Sequence, residues 1–132
     1  MSDYTVVKWA DIANAGADWG IPEEKFEMRI GRGPLGCKEH GVTFARFGKG
    51  FKPTFGHTHK HQEEVYVILS GTAEMNIDGK ISEVSAGSAV RVAPGVWRAL
   101  RAKGDEDMTM IVTGAPVVGE DDGEINLEWW PA

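Results

Sequence analysis

Glycine and proline recur along the chain at intervals too short for long helices. Seventeen glycines and six prolines are spread over 132 residues, and short stretches rich in β-branched and aromatic side chains lie between them. Glycine supplies positive φ angles and proline removes a backbone donor, so this punctuation selects short strands joined by turns. Strands are predicted at residues 4–8, 26–30, 42–47, 63–69, 72–77, 80–84, 88–93, 97–102 and 108–113. Only the stretch from Ala10 to Ala17 resembles a helix start, and Gly16 and Gly20 limit it to a turn or a short helix. The pattern is all-β and calls for a closed or double-sheet architecture.

One hairpin is explicit. In Glu74-Met75-Asn76-Ile77-Asp78-Gly79-Lys80-Ile81, the Asp78-Gly79 pair can take the positive φ angles of a type I′ turn, so two strands must run back to back. Ala73, Met75 and Ile77 alternate with Glu74 and Asn76, which predicts a buried face and a wet one. The same reasoning turns Val90 and Val92 inward and Arg91 outward.

A chain of this length fits one domain, taken as residues 1–132 with an N-terminal arm over 1–41, a barrel core over 42–113 and an acidic C-terminal tail over 114–132. Twenty acidic against fourteen basic residues give a formal charge of −6, which repels phosphate backbones and anionic lipid, so neither nucleic acid nor membrane is expected as a partner. The longest aliphatic run, Val65 to Leu69, is far short of the roughly twenty apolar residues of a spanning helix. The first residues carry no signal-peptide pattern and the lone Cys37 cannot form an internal disulfide, so the expected location is the cytoplasm. The run Glu120-Asp121-Asp122-Gly123-Glu124 reads as a solvated or mobile stretch, and Trp129-Trp130 as an apolar patch that docks on the barrel or on a second subunit.

The chemistry concentrates in Gly56-His57-Thr58-His59-Lys60-His61-Gln62-Glu63-Glu64-Val65-Tyr66. His57 and His59 are two apart, so in extended chain both imidazoles leave one face and can reach one ion. Glu64 shares a strand face with Tyr66 and Ile68, where an unpaired carboxylate would be costly. Two imidazoles and a carboxylate suit a borderline divalent transition metal: iron, manganese, zinc, nickel and copper all accept these donors, and a facial set with open positions is associated with non-haem iron oxygen chemistry. His61 reads as a surface histidine.

The run from His57 to Gly71 resembles the first motif of the cupin superfamily, His-x-His, four residues, Glu, six residues, Gly. The segment from Gly87 through Pro94 to Arg98 is similar to the second motif. The resemblance implies a double-stranded β-helix, a jelly-roll-like barrel of two antiparallel sheets with the site inside, and a homodimer whose contacts cover the apolar strand 65–69. Gly50 and Gly87 each stand one residue farther from their motif partners than the pattern has them. Two positions depart more: Arg98 stands where the family usually has a histidine as fourth ligand, and Ala102 where an asparagine is usual.

A guanidinium has no lone pair to offer a cation. Held at roughly 4 Å from a divalent ion it would be repelled by about 8 kcal/mol at an effective dielectric near 20. Arg98 is therefore expected either to turn toward a substrate anion, or to take the metal's place and pair with Glu64. The leading reading is a metal-dependent enzyme acting on a small molecule, dioxygenase-like or isomerase-like, with His57, His59 and Glu64 as ligands, Arg98 as anion anchor and Tyr66 as an acid–base group. Arg46 and Trp97 are further candidate substrate contacts at the barrel mouth. The alternative is a metal-free module in which Arg98 replaces the fourth ligand and the site binds an anion or a sugar-like molecule.

Overall fold

The computed structural model describes residues 3–131; residues 1, 2 and 132, at the ends of the expected arm and tail, lie outside the described residues. The strands are β1 Phe26–Ile30, β2 Gly41–Phe47, β3 Gly56–His59, β4 Glu63–Ser70, β5 Thr72–Ile77, β6 Lys80–Ser85, β7 Ala89–Val92, β8 Arg98–Ala102, β9 Met108–Ala115 and β10 Gly123–Asn126. They form two antiparallel sheets, ordered β1-β2-β9-β4-β7 and β10-β3-β8-β5-β6. This is the double-stranded β-helix that the motifs implied. No helix among the described residues is long and apolar enough to cross a membrane.

Alternation does most of the positioning. Along β4, Tyr66 and Ile68 are buried while Glu63 and Leu69 are exposed, and along β7 Val92 is buried while Arg91 is exposed. Phe26, Phe47, Tyr66, Ile68, Met75, Val92, Met108 and Met110 meet between the sheets as the main core. Asp78 and Gly79 have φ of 50° and 90° and join β5 to β6 with Ile77 opposite Lys80, as a two-residue hairpin requires. At Gly71 the chain passes from one sheet to the other. Its φ is +71°, and a Cβ there would lie 2.2 Å from the carbonyl oxygen of Asp107, so only glycine fits.

Several expectations are corrected. Residues 4–8 form no strand: Tyr4 and Val6 are 77% and 82% exposed, and β propensity without a neighbouring strand does not make a ladder. The turn or short helix expected over Ala10 to Ala17 agrees with what is found there, two 3₁₀ turns, Trp9–Asp11 and Ala15–Trp19, the second closed by Gly20 in the left-handed region. Asn76, expected on a wet face, is buried. Its side chain accepts from the Gly79 amide, and its carbonyl accepts from the Trp129 indole.

The largest revision concerns the tail. The chain beyond β9, which itself runs to Ala115, is a structural strap: β10 pairs with β3, Trp129 stacks on Trp97 with centroids 5.2 Å apart, and the Trp130 ring lies 4.0 Å below the Arg101 guanidinium. Both tryptophans thus spend their apolar surface on their own barrel. The acidic run is not uniformly solvated either, because Asp122 is buried and its carboxylate meets two histidines and two backbone amides. Those contacts offset the cost of removing the charge from water.

Candidate functional site

β3 and β4 supply the site. β3 is four residues long and lies between β10 and β8, with His57 directly opposite Arg98. Its pleat turns His57 and His59 to the interior together, and their rings meet edge to face at 5.2 Å between centroids. Trp129 packs on the opposite side of the strand, so closely that a Cβ at Gly56 would fall 2.5 Å from the indole. From the facing sheet, β4 brings Glu64 and Tyr66 to the same place.

A single oxygen is the centre of the arrangement. Oε1 of Glu64 accepts a hydrogen bond from the Tyr66 hydroxyl at 2.8 Å, contacts Nε2 of His57 at 3.3 Å, and has Nε2 of His59 at 3.7 Å and Nη2 of Arg98 at 3.5 Å. Arg98 has no solvent-exposed surface; Nη1 donates to the Val96 carbonyl at 3.1 Å, while Nε and Nη2 have no hydrogen-bond partner among the described residues. Of the two alternatives for Arg98, pairing with Glu64 is the one adopted.

The electrostatics follow from these contacts. Burial works to raise the pKa of Glu64, but the His57 contact, the Tyr66 hydroxyl and the Arg98 charge outweigh it, and the net shift is downward. Tyr66 moves well above the usual phenol value because it is buried and faces the Glu64 carboxylate. His59 moves down, chiefly through burial, with the His57 and Arg98 charges adding to it against Glu64 and Asp122. At neutral pH the site therefore holds an ionised carboxylate beside a protonated phenol.

The donor set fits a divalent ion. One ligand atom each from His57, His59 and Glu64 can be chosen so that all lie within 4.8 Å of one another. The Glu64 to histidine separations of 3.3 and 3.7 Å bracket the roughly 3.4 Å between ligands of a tetrahedral ion with bonds of about 2.1 Å. Arg98, with Nη2 3.5 Å from Oε1 of Glu64, would oppose such an ion by charge.

Above these groups lies a cavity of about 260 Å³, with His57, Glu64 and Tyr66 among its lining residues and apolar walls that include Phe26, Met28, Phe47, Leu100, Met110 and Val112. It is smaller than the pockets that hold drug-sized ligands, so it suits a compact molecule.

Two predicted contacts lie elsewhere. Arg46 is on the outer face of β2, because the pleat turns its neighbours Ala45 and Phe47 inward; it pairs with Glu27 and Asp107 and donates to the carbonyls of Glu23 and Glu24. Trp97 precedes β8 and lies under Trp129, away from the cavity. His61 is exposed, with Nδ1 2.9 Å from Asp122. Asp122 itself was hidden from sequence reasoning: an acidic residue in an acidic run carries no mark of a contact with a histidine 63 positions earlier.

Comparison with known proteins agrees with this architecture. No curated protein matches the chain in sequence. Among solved structures, a cupin protein from Bacteroides fragilis is 26% identical, with TM-score 0.72 over 88% of this chain and 86% of that one. A variant of Streptomyces PAC13 with uridine superposes with TM-score 0.73 at 14% identity over 97% and 93% of the two chains. KdgF from a Halomonas species superposes with TM-score 0.59 at 14% identity over 91% and 90%. The cupin domain family matches residues 45–114, a span that holds His57, His59, Glu64 and Arg98, and the chain belongs to that family.

Proposed function

We propose that this cupin is an enzyme that moves protons on a compact small molecule, in the manner of an isomerase, where the apolar cavity meets Glu64, His57 and Tyr66. The observation that carries the reading is the gathering of those groups and Arg98 on one carboxylate oxygen beside a largely apolar cavity. Pairs of groups whose surroundings push their pKa values apart are suited to opposite roles in proton transfer. Glu64, held ionised, accepts a proton. Tyr66, held protonated, gives its single hydroxyl hydrogen to Glu64 in the resting site. As Glu64 takes up the substrate proton that bond is released, and the hydroxyl turns to a substrate oxygen on which negative charge develops. His57, 3.3 Å from the same Glu64 oxygen, steadies the carboxyl group until it returns the proton to a neighbouring substrate atom. Arg98, shut off from solvent beside Glu64, acts through its charge, which favours an anionic or enolate-like oxygen at this end.

The walls set the substrate class. Apolar side chains around the cavity accept a small hydrocarbon or ring body, and the polar groups concentrated near Glu64 call for one carbonyl or carboxylate head. Pac13, a nucleoside dehydratase, shares the barrel, which supports small-molecule chemistry as a use of this fold. His57, His59 and Glu64 are the residues that would hold iron, manganese, zinc, nickel or copper; when bound, such an ion supplies Lewis-acid polarisation of a substrate oxygen and, for iron, oxygen chemistry.

The test is solvent exchange. Compact 2-oxo acids and cyclic ketones are incubated with the protein in deuterated water and followed by proton NMR, alongside elemental analysis of protein purified without added metal. Deuterium incorporation that is lost in Glu64→Gln supports the reading. Equal, background-level exchange with wild type and Glu64→Gln across the panel rejects it.

The Arg98 to Glu64 contact favours a second reading, a metal-free module that binds a carboxylate or sugar-like ligand without transforming it. In that case carboxylates raise the melting temperature of wild type but not of Arg98→Met, and no exchange is seen.

A further inference from the structure

We infer that Asp122, reaching the barrel from the C-terminal strap, is a positioning residue of the site: it fixes the ring orientation and tautomer of His59, so that the Nε2 lone pair faces Glu64. The inference deepens the proposed function, because it takes His59 as a working donor.

The geometry is a three-part chain. Oδ2 of Asp122 lies 3.2 Å from Nδ1 of His59, and Nε2 of the same ring lies 3.7 Å from Oε1 of Glu64. Oδ1 of Asp122 takes the backbone N–H of His61 at 2.9 Å, and Oδ2 takes that of Gln62 at 3.3 Å. These two amides hold the carboxylate where it meets the imidazole. A carboxylate held by backbone N–H groups is an acceptor, and Asp122 at 3.2 Å is within hydrogen-bond reach of the ring whereas Glu64 at 3.7 Å is not, so the nitrogen facing Asp122 carries the hydrogen. In a neutral ring the other nitrogen then holds the lone pair. That nitrogen is the one turned to Glu64.

The strap is built to hold Asp122 in place. The Asp122 carbonyl accepts from the Lys60 amide at 2.9 Å, immediately before β10 zips onto β3 with Gly123 opposite His59. The carboxylate is buried, with its side chain only 4% exposed, whereas the His61 ring that shares it is 77% exposed. A contact serving His61 alone would be a surface pair of little consequence. The contact with His59 is enclosed, and hydrogen-bonded carboxylates behind imidazole ligands orient the ring and raise its basicity.

The measurement is long-range proton–nitrogen NMR on the full chain, ¹⁵N-labelled and freed of metal by chelation, with the His59 signals identified by their loss in His59→Gln. The expected result is a neutral His59 protonated at Nδ1 in wild type and in His61→Ala, and a shift toward Nε2 protonation in Asp122→Ala. Asp122→Asn serves as the second variant should Asp122→Ala fail to fold, since it keeps the shape and removes one of two acceptor oxygens; it too shifts the tautomer. A wild-type His59 protonated at Nε2, or a tautomer unchanged in a folded Asp122 variant, overturns the inference. Zn²⁺ titration of the same samples is expected to show affinity roughly 10–100-fold weaker in Asp122→Asn. If wild type takes up no Zn²⁺, the metal-holding role of the site fails while the tautomer result still decides the role of Asp122.

Discussion

The guanidinium of Arg98, wholly removed from solvent, lies 3.5 Å from the Glu64 oxygen that also accepts the Tyr66 hydroxyl. A cation built into the chain thus stands beside the one carboxylate that an external cation would need. Whether the barrel holds a metal becomes a competition between two positive charges for Glu64.

Arg98→His is therefore expected to raise affinity for Zn²⁺ and Mn²⁺ by at least tenfold over wild type, measured by calorimetry on chelator-treated protein. The substitution removes a repulsion of gross size about 8 kcal/mol for a dication at roughly 4 Å and an effective dielectric near 20, and places an imidazole where Arg98 lies opposite His57. Solvation and loss of the Arg98 to Glu64 contact discount that figure heavily. Equal affinities in the two proteins would show that Arg98 does not govern access to the site.

Gly71→Ala tests the other motif residue, whose role is steric. The added methyl meets the Asp107 carbonyl at 2.2 Å while the backbone keeps a φ of +71°. A stability loss of roughly 2–4 kcal/mol is expected by urea denaturation. Gly79→Ala, at φ +90° with nothing within 4 Å of the new methyl, should cost less, and a reversed ranking would refute the steric account.

These two positions show what was legible in the chain. His57, His59, Glu64 and Gly71 declare themselves because their chemistry and spacing are local, set by a strand pleat and a single turn. The hairpin at Asp78-Gly79 and the inward faces of β4 and β7 were readable for the same reason. Arg46 misled because a pleat one residue out of phase sends a side chain outside, and sequence gives no value for a polar group that finds partners on the outer surface. Asp122, β10 and the packing of Trp129 on Trp97 were not legible, because each depends on a contact made by chain returning from the far end.

Acid sensitivity should come in part from the outer-face network. Burial raises the Glu27 pKa, but hydrogen bonds and charges from Arg46 and Arg29 outweigh it and leave the folded value below the ordinary carboxylate range. A depressed folded pKa stabilises above the unfolded pKa and is lost as pH falls through the folded one. Glu27→Gln is expected to cost about 1.5–3 kcal/mol at pH 7 and less than that at pH 3, so the pH dependence of its melting temperature is flatter than that of wild type. A constant difference between the two proteins from pH 7 to pH 3 would contradict this.

Trp129→Ala asks whether the strap holds the site. The indole covers Gly56, stacks on Trp97 at 5.2 Å and donates to the Asn76 carbonyl at 3.2 Å, so one side chain ties the chain end to β3, β5 and the turn before β8. Truncating a half-buried tryptophan with a stacked partner is expected to cost about 2–3 kcal/mol. The loss should also be local: amide exchange of Gly123–Asn126 and of β3 should accelerate before that of β4 and β9, because the β10 to β3 ladder frays once its anchor is gone. Leu127, 71% exposed on the same segment, is the control, and Leu127→Ala should leave both stability and exchange unchanged. Uniform acceleration across both sheets in Trp129→Ala would mean that the strap supports the whole barrel and has no particular hold on the strand that carries His57 and His59.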